Sequence, residues 1–176
     1  MHSNQRKIFF FNQLAYSHDS DVDIQTIDHE IEDFFRSWLN SPDVRNNTLI
    51  IIGSDHGNHM ILSRLHSHYM AKRLDHRNPF LYLLVPPWMK TKYPEKMEAL
   101  LMNSKERVTT NMDVYLTLTH LLNFSQPDLR SKYGQTLFTP IPKNRTCADM
   151  GIPPIYCGCD EMARLDVRYL LIIIEN

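Results

Sequence analysis

Glycine is scarce in this chain, five in 176 residues, and no glycine-rich phosphate loop can be traced. Such loops need small residues so that backbone N–H groups can wrap a phosphate, so nucleotide-binding motifs of that kind are excluded. The Gly-x-Ser-x-Gly elbow of one large class of serine hydrolases is missing as well. Charge of one sign is also lacking: 19 Lys and Arg face 20 Asp and Glu, for a net charge of −1. That balance removes any broad electrostatic case for nucleic acid or an anionic membrane. Long apolar runs are absent, and Leu170 to Ile174 falls far short of the roughly 20 residues of a membrane-spanning helix. Met1 to Arg6 lacks the apolar core of a secretory signal. The chain therefore reads as soluble, without a membrane span or an address of its own. Cysteines number three, at 147, 157 and 159. Cys157-Gly158-Cys159 is too tight for a zinc knuckle, and a partner Cys-x-x-Cys is absent.

What is present suits one globular domain with a real core: 43% hydrophobic and 22% charged residues. Ile8-Phe9-Phe10-Phe11 opens a segment, Lys7 to Tyr16, that reads as a buried strand. Ile24, Ile27, Ile31, Phe34, Phe35 and Trp38 recur at helical spacing after the helix-start acids Asp21 and Asp23, and Asn40-Ser41-Pro42 stops them. Leu49-Ile50-Ile51-Ile52, within Thr48 to Gly53, predicts a strand covered on both faces. Phe80-Leu81-Tyr82-Leu83-Leu84, within Pro79 to Val85, predicts another. Pro94 to Met102 predicts a helix, as does Asn111 to Leu122, with Asn111 as N-cap and Met112, Tyr115, Leu116, Thr119 and Leu122 on one face. From Asn123 onward proline and turn residues read as an irregular tail. The order is an α/β pattern. Ligands in such folds gather beyond the carboxyl ends of the strands, which places Ser17 to Asp21, Gly53 to Asn58 and Pro86 to Met89 on one rim.

The sharpest feature is Gly53-Ser54-Asp55-His56-Gly57, directly after a β-branched run. Adjacent side chains on a regular strand point to opposite faces. Where the strand ends and the chain turns, a carboxylate and an imidazole can converge on one ion. Mixed nitrogen and oxygen donors suit zinc or manganese, and a carboxylate-rich version suits calcium. An isolated Asp-His-Gly is more often a loop cap beside an exposed histidine, and it is the strand before it that shifts the balance. His18, at the end of the first predicted strand, is a candidate for substrate or second-site contact; on its residues alone it reads as a loop before a helix. Arg77 could grip an anion with its planar fork or pair with Asp75. His59, His66 and His68 read as a polar surface loop. Thr110 and Asp113 open a helix, and capping explains both.

The segment Leu49 to Gly57 resembles the second metal-binding motif of the alkaline-phosphatase and sulfatase superfamily. Later text resembles a sulfatase-like family of extracellular animal proteins of unknown function: Arg77-Asn78-Pro79-Phe80, then Thr109-Thr110, Asp113 and Thr117-Leu118, then Gly134-Gln135-Thr136-Leu137, then Asn144-Arg145-Thr146-Cys147, Gly151-Ile152-Pro153 and Cys157-Gly158-Cys159. Lys72 and Asp75 depart from it, standing where Gly and Glu are common, and Asp166 to Asn176 matches nothing in it. The resemblance implies an α/β three-layer sandwich with a mostly parallel central sheet. Residues 7–146 would be the carboxyl-terminal portion of that domain, and residues 147–176 a cysteine-containing tail. It implies metal ligation by Asp55 and His56, catalytic contacts from His18 and Arg77, and an anionic phosphate or sulfate ester as substrate. The nucleophile and an earlier Asp ligand of that family lie in an amino-terminal half without a counterpart in this chain, so the expectation is a partial hydrolase domain, inactive alone, with an exposed sheet edge through which it oligomerises. The alternative is a non-catalytic extracellular binding module or a fragment that keeps the fold. The resemblance, three sequons at Asn46, Asn123 and Asn144, and clustered cysteines suited to disulfides all point to an extracellular setting.

Overall fold

The computed structural model describes residues 7–13, 16, 23–57 and 76–158. His18, His59, His66, His68, Asp75 and Cys159 lie outside the described residues. Among those described, a 3-10 turn at Asp23–Ile27 leads into helix α1, Asp28–Leu39. Pro42 does more than end α1: it opens a second helix, α2, Pro42–Asn47. Proline is tolerated there because the first N–H of a helix has no partner within the helix in any case. Strand β1, Ile50–Gly53, pairs with β2, Leu81–Leu84, followed by α3 (Trp88–Lys92), α4 (Pro94–Glu106) and α5 (Asn111–Leu122).

The fold is α/β, but the described sheet is a single antiparallel pair in which Ile50 faces Leu84 and Gly53 faces Leu81. The mostly parallel sandwich is not shown by these residues. Gly53 sits where β1 leaves the pair, and a Cβ there would lie 3.2 Å from a Leu81 methyl and 3.3 Å from the Phe80 carbonyl oxygen. Glycine therefore permits the close approach of the two strands at the entrance to the Asp55 turn. The isoleucines of β1 are only partly buried, so the expectation of a strand covered on both faces is not met. The first predicted strand is corrected as well. Residues 7–13 have no regular structure, and Phe9, Phe10 and Phe11 are each more than four-fifths exposed. Nothing among the described residues covers them, and an apolar run can be buried only if a surface exists to receive it.

The core gathers Leu83 of β2, Met89 of α3, Met97 and Leu100 of α4, and Phe124, Leu137, Phe138 and Ile141. The last four belong to a stretch that the sequence presents as irregular tail. Irregular it is, yet residues 135–139 and Ile141 are buried. Backbone buried without a ladder must find other partners, and side chains from two helices supply them. Asn103 of α4 donates from Nδ2 to the carbonyls of Leu137 and Thr139, and its Oδ1 accepts from the Ile141 N–H. From α5, Thr117 Oγ1 accepts from the Leu137 N–H at 2.8 Å, and Asp113 Oδ1 accepts from the Gln135 N–H at 2.8 Å. His120 Nδ1 lies 3.1 Å from Thr136 Oγ1.

That arrangement corrects the predicted face of α5, of which Leu116 alone is buried. Asp113, Leu116, Thr117 and His120 point inward, whereas Met112, Tyr115 and Leu122 are exposed. The polar face wins because it satisfies a buried loop backbone, which an apolar face would leave unpaired at a cost of about 1–3 kcal/mol per group. Asn111 as N-cap is corrected, while the capping read at Thr110 and Asp113 is found: Thr110 is the N-cap, closing a reciprocal box with Asp113, whose Oδ2 accepts from the Thr110 N–H at 2.8 Å. Asp113 also forms a two-pronged ion pair with Arg145, at 2.9 and 3.0 Å. Just beyond Arg145, Cys147 and Cys157 form a disulfide.

Candidate functional site

The hydrogen bonds of the β1–β2 pair do not stop at Gly53. Ser54 N–H donates to the Phe80 carbonyl, and Gly57 N–H donates to the His76 carbonyl at 3.2 Å. The turn carrying Asp55 and His56 is thus zippered against the segment that enters β2. From Gly53–Leu81 to Gly57–His76 the register changes by one residue, which marks where the ladder gives way to a turn.

Within the turn, Asp55 Oδ1 accepts from the His56 backbone N–H at 2.9 Å. His56 Nδ1 lies 2.7 Å from the Gly57 carbonyl oxygen. A carbonyl only accepts, so Nδ1 carries a proton, and in the neutral ring Nε2 is then the nitrogen with the lone pair. Nε2 is 3.8 Å from Asp55 Oδ2. One carboxylate oxygen and the imidazole nitrogen that a metal would use therefore converge. The Asp55 side chain is 86% exposed and that of His56 44%, so the pair is open to solvent. Ser54 Oγ, buried beside it, has no hydrogen-bond partner among the described residues.

The donor chemistry fits a divalent ion in kind, and in number it supplies two ligands. Among the described residues there is no cluster of three or more His, Cys, Asp or Glu side chains placed to hold a metal. Arg77, the other described candidate, is partly buried and donates from Nη1 to the Cys157 carbonyl at 3.4 Å. It follows His76 in the chain and is fastened to the disulfide-closed loop. His18 lies outside the described residues.

Two side chains that sequence reasoning leaves without a site role meet the motif here. The His76 ring stacks on that of His56, with centroids 4.9 Å apart and planes inclined by 28°. Asn111, freed from capping, donates from Nδ2 to the Asp55 carbonyl at 3.0 Å, so the start of α5 braces the turn. Neither contact has a spacing signal, since both join segments distant along the chain.

No helix among the described residues is long and apolar enough to cross a membrane. Comparison with curated proteins and with solved structures finds no similar protein in either set. A family model does match, over residues 1–172, and its description is "protein of unknown function (DUF229)". The chain therefore belongs to the DUF229 family.

Proposed function

We propose that this chain contributes part of the metal centre of an extracellular hydrolase of anionic esters, related to the alkaline-phosphatase and sulfatase superfamily. The observation that carries the reading is the approach of Asp55 Oδ2 to His56 Nε2 at 3.8 Å, at the end of a strand and with the imidazole in its ligating tautomer. Asp55 and His56 would hold a zinc, manganese or calcium ion, and such an ion, when bound, polarises a phosphoryl or sulfuryl oxygen. The remaining donors, and the nucleophile, would come from outside the described residues. Arg77 would draw the ester's anionic oxygens toward the site, since its planar fork matches them geometrically, and His18 would serve the same oxygens. The parallel sheet of the superfamily would extend the β1–β2 pair, and its open strand edges would favour association of isolated chains.

A second reading keeps the fold as an extracellular binding module, with Asp55 and His56 as relics. The 86% exposure of the Asp55 side chain favours it, because a working carboxylate ligand is ordinarily held by further hydrogen bonds. Calorimetric titration with zinc, manganese and calcium separates the two. Under the metal-centre reading the chain binds at least one of these ions and Asp55→Ala abolishes the binding. Equal binding by both proteins, or none by either, shifts the assignment to the module.

A further inference from the structure

We infer that His76 is a positioning residue for His56: a stacked imidazole that holds the ligating ring at the angle needed to present Nε2 beside Asp55. The inference rests on the metal-centre reading and adds to it a residue from another part of the chain.

An imidazole is fixed by two torsions, and the second is broad, because rotation about the bond to a planar ring has no sharp staggered minima. A ring that is 44% exposed would sample this freedom and lose it on binding an ion. Among the contacts of the described residues, two bear on this freedom. The Nδ1–H to Gly57 hydrogen bond selects which edge faces the turn. It leaves the ring able to rock about that contact. The His76 ring, 4.9 Å away and near parallel, closes one face and limits the rocking. Aromatic rings favour stacked arrangements at such centroid separations.

His76 can act as a wall because its own backbone is held. Its carbonyl accepts the Gly57 N–H at 3.2 Å. On its other side, Arg77 reaches the Cys157 carbonyl, and Gly158 lies so close to Asn78 that a Cβ would come within 2.9 Å of the Asn78 amide oxygen. The segment 76–78 is therefore clasped between the motif turn and the disulfide-closed loop. The near-parallel planes also separate positioning from ligation. An ion bound by an imidazole nitrogen lies close to the plane of that ring, and two stacked rings do not share such a point.

The test compares His76→Ala and His76→Phe in the full chain. Phenylalanine keeps a stacking ring but has no nitrogen. Zinc affinity is expected to fall roughly tenfold or more in His76→Ala, the scale seen when a group orienting a ligand is removed, and to stay within about threefold of wild type in His76→Phe. Loss in both variants would make His76 a ligand and overturn the inference, as would loss in neither. The proton resonances of the His56 ring, recorded without metal, supply the second readout. They are expected to be shifted upfield by the neighbouring ring in wild type and His76→Phe and to relax downfield in His76→Ala. An unchanged His56 spectrum in His76→Ala, in a protein whose circular dichroism and melting match wild type, removes the stack. If the wild type binds no zinc while the ring shift is present, the metal-centre reading fails and the stack stands as a structural contact, which also overturns the positioning role.

Discussion

Helices α1 and α5 are each twelve residues long, and they invert the usual relation between pattern and burial. Helix α1 has a clear apolar face, yet Ile31, Phe34 and Trp38 on it are 37%, 49% and 37% exposed and none of its residues is buried. Helix α5 is apolar on several sides, yet the face it buries carries Asp113, Thr117 and His120. Apolar periodicity states which face would gain from cover. Burial itself depends on what lies opposite. Opposite α5 lies a loop whose backbone lacks a ladder, and polar side chains are what such a loop requires. For α1 the described residues offer no comparable surface.

The sharpest break in that comparison is Asp113→Ala. The change leaves the Arg145 guanidinium, whose side chain is 9% exposed, without its carboxylate, and it strips the Gln135 and Thr110 N–H groups of their acceptor. Removing one member of a buried ion pair costs on the order of 3–5 kcal/mol, and urea unfolding should show a loss of that size. A loss below about 1 kcal/mol would mean that the polar face of α5 does not organise the loop.

A smaller effect is expected from acid. Burial of His120, and then the nearby Lys96 ammonium at 3.2 Å, hold its imidazole pKa below the usual 6.5. The unfolded chain then takes up a proton at higher pH than the folded one does. The contribution to stability is fully present above the ordinary histidine range and is lost as pH falls from there through the lowered folded value. Melting temperature should decline between neutral and mildly acidic pH, and more steeply for wild type than for His120→Gln. Identical slopes would place the acid sensitivity elsewhere.

The smallest effect belongs to α1. Phe34→Ser should change the stability of this chain by no more than about 0.5 kcal/mol, because the side chain is half exposed. A larger loss in the same urea measurement would reveal a cover for the α1 face that the described residues do not contain.

Much of the local structure was legible. Five of the predicted segments form elements close to the expected bounds: α1 with the 3-10 turn that leads into it, β1, β2, α4 and α5. The Asp55-His56 turn lies at the end of β1 as the isoleucine run implies. These features depend on near neighbours in sequence: β-branched runs favour strands, proline opens or ends helices, and an acid three residues after Thr110 builds a cap. The Asn111 cap failed on the same local scale, where Thr110 with Asp113 offers a reciprocal pair that Asn111 cannot.

The sequence by itself determined the type and order of these elements and the residue pair at the strand end, because short-range sterics and hydrogen bonding decide them. Tertiary structure alone decided which face of α5 turns inward, that the proline-rich stretch near Leu137 and Ile141 belongs to the core, and that Cys147 pairs with Cys157. It also brought His76 against His56 and Asn111 against Asp55. Each of these depends on which surface or backbone group stands opposite, and that choice is settled only when segments far apart in the chain compete for the same partners.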